Sequence, residues 1–207
     1  MSRLSNLARK ARALLPYVGI LFATQTLGGT VWIPSASMEP TMHAGDMLTV
    51  NRLAYSFHLP FVSTAEVVRW ATPDRGEIIV FNAPPAGSPS EALYIKRVVA
   101  VAGDVIEVKD HRLTLNGKAA DYSPVDAEYL TETLNGKSHQ VHAQPSELQN
   151  FGPYTVPAGH VFVMGDNRDH SSDSRMWGPL ALERVRGRAS YRVLGANPSD
   201  LKGPGVL

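Results

Sequence analysis

Short runs of apolar and β-branched residues, each closed by a turn-forming cluster, follow one another along most of this chain. Residues 77–81 (Glu-Ile-Ile-Val-Phe) follow the turn cluster 73–76 (Pro-Asp-Arg-Gly), and residues 94–101 end before a Gly-Asp pair. With 17 glycines and 15 prolines, the composition favours turns over long helices. We therefore predict a mainly β fold of barrel or sandwich type, built from short antiparallel strands. Further candidate strands cover residues 47–50, 105–108, 113–115, 155–156, 161–164 and 189–194.

Charge and cysteine content exclude several classes of protein. The formal net charge is +1, whereas a domain that binds nucleic acid through bulk charge would be more basic. Hydrophobic residues make up 43% of the chain, which is enough to bury a core. Cysteine is absent, so disulfides, thiolate catalysis and Cys-ligated zinc are excluded.

The beginning of the chain is charged unevenly. Residues 1–12 hold four basic residues and no acidic one, and residues 13–33 are 21 uncharged residues. A helix of that length reaches about 31 Å, which matches one bilayer core. The run could be a cleaved signal peptide, a buried core helix or an uncleaved transmembrane anchor. We favour the anchor, because the run leads directly into candidate catalytic residues. The positive-inside rule then places residues 1–12 in the cytoplasm and the remaining chain across the membrane.

Residues 118–154 interrupt the β pattern. They are polar, contain three prolines and show little periodicity. We interpret them as a small insertion or cap domain between two parts of one β domain, residues 34–117 and 155–207. His139 and His142 lie within this insertion. Because no carboxylate cluster or His-Glu-x-x-His signature accompanies them, we do not expect them to bind a metal.

Three segments combine the residue types that catalysis needs. Residues 34–42 place Ser37 between small residues in a proline-bounded loop, where its hydroxyl can act as a nucleophile if a base lies near. Lys96 has apolar neighbours on a predicted strand, and desolvation there would lower its pKa towards that of a base. Residues 165–178 are dense in Asp, Asn, Arg and Ser, which form hydrogen-bonded networks. Serine and lysine together are a known alternative to the histidine-assisted triad.

Each segment also has an ordinary structural interpretation. A loop serine is usually solvated or caps a turn, and a lysine beside an arginine on a strand is usually a surface charge. Residues 165–178 could form a polar turn or a calcium loop, although their spacing does not match an EF-hand. The combination of the three segments favours catalysis.

In this order, the three segments resemble the conserved boxes of bacterial type I signal peptidases, which are membrane-bound serine endopeptidases with a Ser-Lys dyad. Residues 53–60, 73–84 and 156–164 are also similar to linking regions of Gram-negative members. The resemblance covers about residues 31–117 and 153–194. It implies a signal-peptidase-like, β-rich catalytic domain behind one N-terminal transmembrane helix. Two departures are Ala36, where glycine is common, and His170, where asparagine is usual.

The resemblance implies a role for each matching residue. Ser37 matches the nucleophile and Lys96 the general base. Ser35 matches the side-chain donor to the oxyanion, which acts together with the Ser37 amide, and Ser171 matches the hydroxyl that positions the lysine amine. A supporting network is matched by Asp166, Arg168, Asp173 and Arg175. Walls of shallow pockets for small substrate residues are matched by Ile33, Pro34, Met38, Tyr94 and Ile95.

The function implied is removal of N-terminal signal peptides after small residues, at sites of the Ala-x-Ala type. The expected partners are signal peptides of secretory preproteins and the lipid bilayer, with no nucleic acid, metal or organic cofactor. The expected location is the inner membrane, with a single span and a periplasmic or extracellular catalytic domain. One alternative is a peptidase dedicated to a single partner, such as a conjugation pilin. A second alternative is a membrane-anchored β module that binds without catalysis.

Overall fold

The structure, a computed structural model, describes residues 16, 28–58, 66–82, 92–142 and 150–194. These residues form mostly strands, so the predicted mainly β class is confirmed. Helical structure within them includes the one-turn helix α1 (Ser174–Trp177) and a 3₁₀ turn (Leu182–Arg184). The strands are β1 (Gly28–Trp32), β2 (Met47–Asn51), β3 (Ser56–His58), β4 (Glu66–Arg69), β5 (Ile78–Asn82), β6 (Leu93–Val101), β7 (Val105–Lys109), β8 (Arg112–Leu115), β9 (Lys118–Ala119), β10 (Asp121–Pro124), β11 (Tyr129–Leu134), β12 (Lys137–His142), β13 (Phe151–Thr155), β14 (His160–Met164), β15 (Leu180–Ala181) and β16 (Val185–Leu194).

A seven-stranded antiparallel sheet is the centre of the fold. Its strands lie in the order β1-β2-β16-β5-β6-β14-β15. All five residues of β5 are buried, as are 95–100 on β6, because these strands are covered on both faces. This explains why their sequences are mostly apolar rather than alternating between apolar and polar residues. The charged pair Lys96 and Arg97 therefore lies in the interior of the sheet, and each side chain needs polar partners there.

Three smaller sheets flank the central one. Strands β13-β7-β8-β9 form one, β10-β11-β12 form another, and β3-β4 form a hairpin. The predicted insertion 118–154 contributes to two of them. Its end strands β9 and β13 pair with β8 and β7, and its central strands form the sheet β10-β11-β12. The β12 strand ends in a parallel bridge between His142 and Asn167, which joins the insertion to the third candidate segment.

The end of the predicted membrane span differs from the expectation. Residues 28–32 form β1, which pairs antiparallel with β2 from Gly28↔Asn51 to Trp32↔Met47. A helix through residues 13–33 is therefore not continuous to Ile33, and the β-branched residues near its end lie in the sheet instead. Residues 13–15 and 17–27 lie outside the described residues. Among the residues that are described, no helix combines the length and apolar character that a membrane crossing requires.

Candidate active site

Ser37 and Lys96 meet in the interior of the molecule. Ser37 lies in the loop after β1. The two ends of this loop are joined by hydrogen bonds from the Ile33 amide to the Asp46 carbonyl at 2.9 Å and from the Gly45 amide to the Ile33 carbonyl at 2.7 Å. Met38, which follows Ser37, is fully buried in the core and anchors the loop. Lys96 extends from β6, opposite Ile79 of β5. Its Nζ lies 2.6 Å from Ser37 Oγ, and the two residues are only 4% and 7% exposed.

The Lys96 amine is adjusted for proton transfer by its burial. Desolvation lowers the pKa of Lys96 to about 8. The carboxylates of Asp173 and Asp166 act in the opposite direction, and the Arg175 guanidinium acts with burial. A substantial neutral fraction is therefore present near pH 8, and a neutral amine can accept the proton of the Ser37 hydroxyl.

A groove of about 300 Å³ leads to this pair of side chains. Its walls include Pro34, Tyr94 and Ile95, three of the residues expected to line the substrate pockets. The groove is lined by Pro34, Ser35, Ser37, Leu93, Tyr94, Ile95, Lys96, His170 and Ser172. The other two expected pocket residues, Ile33 and Met38, are buried in the core cluster next to the loop. The exposed Ser35 donates its hydroxyl hydrogen to Ser37 Oγ across 3.3 Å.

The edge of β6 beside the groove is open along the described strands. On one side, residues 93–95 pair with β5. On the other side, β14 pairs with β6 from Val101 to Arg97 and goes no further towards residue 93. An extended peptide added at this edge of β6 would lie beside residues 93–95.

Two buried ion pairs lie beneath the dyad. Asp166 accepts two hydrogen bonds from Arg97, at 2.8 and 2.6 Å, and another from the Thr41 hydroxyl. Asp173 accepts hydrogen bonds from the Arg175 guanidinium at 2.8 Å and from the Gly165 amide at 3.0 Å. Burial acts to raise the pKa of both carboxyl groups, but the charges and hydrogen bonds of Arg97 and Arg175 bring each pKa below its usual range. Both carboxylates are therefore ionised, and the positive charge of the arginine partner balances most of the negative charge of each.

The third candidate segment holds the serine loop through its main chain. Asn167 donates its amide hydrogen to the Ser37 carbonyl and its side-chain Nδ2 hydrogen to the Ala36 carbonyl, both at 3.2 Å. A Cβ atom at Gly165 would overlap the Ser37 carbonyl oxygen and the Ser171 hydroxyl. The buried Ser171 hydroxyl also helps to lower the pKa of Asp173. Ser37 is thus fixed by contacts from residues more than 120 positions away along the chain.

The comparisons with known proteins identify the family of the chain. The sequence profile described as signal peptidase, peptidase S26, matches residues 7–194. The chain belongs to the signal peptidase family.

Named relatives of the chain come from bacteria and chloroplasts. A signal peptidase I of Pseudomonas fluorescens is 39% identical over 156 residues, which are 70% of this chain and 54% of that protein. A probable signal peptidase I-1 of Synechocystis is 35% identical over 170 residues, 80% of this chain and 71% of that protein. Thylakoidal processing peptidase 1 of Arabidopsis thaliana is 34% identical over 182 residues, 84% of this chain and 44% of that protein. The chain thus spans about half the length of the Pseudomonas relative.

The four residues expected to form the supporting network belong to three ion pairs. Asp166 pairs with Arg97, which lies next to the dyad lysine on β6. Arg168 instead pairs with Glu132 of the insertion, and neither side chain is exposed. Asp173 and Arg175 pair with each other, two residues apart.

Arg97, Glu132 and His139 also belong to this network, although they were not among the residues predicted from the sequence. Arg97 had a usable signal, since two adjacent charges inside an apolar strand must point to opposite faces and each needs a partner. Glu132 had none, because it lies in a strand of a polar segment and its partner is 36 residues away. His139, set aside for lack of nearby carboxylates, lies 3.2 Å from Glu132 and 3.9 Å from Asp166.

Proposed function

We propose that this chain is a serine endopeptidase that removes N-terminal signal peptides from exported proteins after small residues. The observation that carries the proposal is the 2.6 Å contact between Lys96 Nζ and Ser37 Oγ at the wall of an open groove. Membership of the signal peptidase family supports the same reaction.

The proposed reaction uses Ser37 as nucleophile and Lys96 as base. The neutral Lys96 amine accepts the hydroxyl proton while Ser37 Oγ attacks the substrate carbonyl carbon. The resulting ammonium then donates that proton to the leaving amine, and the peptide bond breaks to give an acyl-enzyme. Water, activated by the same amine, hydrolyses the ester and releases the signal peptide.

We assign Ser35 to stabilise the oxyanion of the tetrahedral intermediate. Its hydroxyl already lies 3.3 Å from Ser37 Oγ, so a rotation about one side-chain bond can direct it towards an oxygen bonded to the attacked carbon. The Ser37 amide is the second donor. Donors placed where negative charge develops are among the largest contributions to catalysis.

We further propose that the substrate binds as an added strand along residues 93–95. The strand β14 stops pairing with β6 at Arg97, which supports this placement, and in this proposal Pro34, Tyr94 and Ile95 are the groove walls that select the small side chains of Ala-x-Ala sites. Ile33 and Met38 support these walls from the core side. Ser171 and Asp173 help to orient the Lys96 amine.

For location, we propose a single-span protein of the inner membrane with a cytoplasmic amino terminus and an outward-facing catalytic domain. The basic residues at 1–12, followed by an uncharged run, support this orientation. Because β1 begins at Gly28, the uncharged run before it is the 15 residues 13–27, about 22 Å as a helix, so a full span also needs the residues just before Ala13. The bilayer is then the second partner, alongside the signal peptide.

The proposed function is tested with purified protein in detergent and a peptide that carries one Ala-x-Ala site. We expect cleavage after the second alanine, detected by mass spectrometry, and no cleavage by Ser37→Ala or Lys96→Met. A wild-type protein that binds the peptide without cutting it would instead support the binding-module alternative.

A further inference from the structure

The insertion supplies a fully buried carboxylate to the network beneath the active site. Glu132 of β11 accepts hydrogen bonds from Arg168 Nη2 at 2.6 Å and Nη1 at 2.9 Å, and neither side chain is exposed. The Tyr122 hydroxyl also donates to Glu132. A bidentate pair of this kind fixes the orientation of the guanidinium as well as its position.

Arg168 passes this constraint to the main chain beside the nucleophile. Its Nε donates to the Gly165 carbonyl at 3.1 Å, while its Nη atoms face Glu132. Gly165 lies so close to the Ser37 carbonyl and Ser171 that no Cβ fits between them. Asn167, on the other side of Asp166, donates to the Ser37 and Ala36 carbonyls. A continuous series of contacts therefore connects Glu132, through Arg168 and Gly165, to the serine loop.

The main chain of the insertion also forms hydrogen bonds with residues 166–168. The His142 amide donates to the Asp166 carbonyl and the Arg168 amide donates to the His142 carbonyl, both at 2.9 Å. His139, three residues earlier on β12, lies between the carboxylates of Glu132 and Asp166. The insertion thus holds residues 166–168 through the Glu132–Arg168 pair, through two backbone hydrogen bonds, and through a contact of His142 Nδ1 with Asn167 Oδ1 at 3.3 Å.

We propose that Glu132 is a positioning residue of the catalytic site, which acts through Arg168 to fix residues 165–168 and so the placement of Ser37 against Lys96. This inference rests on the proposed peptidase function. It makes strands β10–β12 a working part of the site, where the sequence suggested a separate cap. The competing explanation is that the Glu132–Arg168 pair only stabilises the fold.

The two explanations differ in the separation of kcat from KM. Glu132→Gln should lower kcat for an Ala-x-Ala peptide at least tenfold and change KM less than threefold, because the groove walls do not involve Glu132. The matched control Glu183→Gln, at an exposed glutamate of the 3₁₀ turn, should keep wild-type values. Wild-type kcat in a folded Glu132→Gln protein would overturn the proposal.

Two further variants separate a loss of kcat from a loss of folding stability. The double variant Glu132→Met with Arg168→Met removes both buried charges, so its melting temperature should be near that of the wild type, but methionine cannot donate to the Gly165 carbonyl. We expect kcat to stay at least tenfold low. Arg168→Lys keeps a positive charge opposite Glu132, but one amine cannot bond to Glu132 and to the Gly165 carbonyl as the guanidinium does. We expect the same loss of kcat. Wild-type kcat in either folded variant would show a purely structural role.

A measurement without turnover separates failure of this inference from failure of the proposed function. If the wild-type protein cleaves no peptide, the proposed function fails, and the Lys96 amine is then titrated by NMR with ¹³C-labelled lysine, assigned with Lys96→Met. The pKa of Lys96 depends on the charges of Asp166, Asp173 and Arg175. All three lie in the segment 165–175, whose position Glu132 helps to fix through Arg168. The midpoint should move by at least half a pH unit in Glu132→Gln and not in Glu183→Gln. An unchanged midpoint would overturn the positioning role.

Discussion

Lys96 acquires the properties of a base from its place on a central strand. Burial alone would favour the neutral amine strongly, and nearby carboxylates would restore the ammonium. Here the two carboxylates that face Lys96 each have an arginine partner, Arg97 for Asp166 and Arg175 for Asp173. Their pull on the lysine is reduced, and the pKa of Lys96 remains at about 8.

The rate should therefore rise with pH through the titration of Lys96. Below its pKa of about 8, the protonated amine cannot accept the Ser37 proton, so kcat/KM should increase with pH and level off above about 8. Lys96→Arg should be inactive at every pH, because a guanidinium stays protonated. The pH profile of peptide cleavage measures both, and an active arginine variant would identify another base.

The buried Lys96 should lower the free energy of unfolding of the protein wherever its amine is charged. The pKa of Lys96 is lowered from 10.5 to about 8, so below pH 8 the buried ammonium opposes folding by about 3 kcal/mol at most. As pH rises from 8 to 10.5, the folded state carries fewer protons and this penalty disappears. Lys96→Met should thus be more stable than the wild type at pH 7, and the difference should shrink near pH 10.5 in urea unfolding. The exposed Lys118→Met serves as control.

Ser35 should contribute to rate rather than to binding. Loss of one oxyanion donor lowers kcat by roughly 10²–10³-fold in other enzymes. We expect Ser35→Ala to fold normally, to keep KM near the wild-type value and to lose at least tenfold in kcat, with partial recovery in Ser35→Thr. Ser123→Ala on β10 is the control. If steady-state kinetics gave wild-type kcat for Ser35→Ala, the oxyanion would be stabilised by main-chain amides or another side chain.

At the scale of elements, the segment after β14 acts as a clamp between the serine loop and the insertion. Its first residue, Gly165, is packed against the Ser37 carbonyl and Ser171 with no space for a methyl group. Backbone atoms cannot move aside as flexible side chains can, so the segment and the loop must have matching shapes.

Gly165→Ala should separate the two elements. The added methyl group must push the serine loop or Ser171 away, and overpacking of this kind costs about 1–3 kcal/mol in well-packed cores. We expect a lower melting temperature and a loss of kcat larger than the loss of stability alone explains. Gly28→Ala is the control, since its Cβ would meet Val50 O at an ordinary 3.4 Å. Wild-type kcat in Gly165→Ala would mean that the contact does not set the position of Ser37.

Elements differ in how far the sequence predicts them. Strands β5, β6 and β14 follow from apolar runs between turn clusters, and the meeting of Ser37 with Lys96 was implied by the resemblance to signal peptidases. Strand β1 does not, because an uncharged run fits a helix or a strand until its pairing with β2 is known. The Glu132–Arg168 pair is also unpredictable, since only the folded chain brings β11 against residues 165–168.

At the scale of the whole molecule, the orientation in the membrane is open to a direct test. A periplasmic reporter such as alkaline phosphatase, fused after Leu207, should be active, and a reporter that works only in the cytosol should not. The reason is the excess of basic residues before the uncharged run. The opposite pattern, or mature protein that starts beyond residue 23, would refute the proposed anchor.

The position of β16 in the central sheet has a consequence for biosynthesis. This strand, at the end of the described chain, lies between β2, next to the serine loop, and β5, which supports the lysine strand. Until residues 185–194 have been synthesised, β2 and β5 lack the strand that pairs with both of them, so the central sheet cannot close between the serine loop and the lysine strand. The final placement of Ser37 against Lys96 therefore has to wait until β16 has been synthesised.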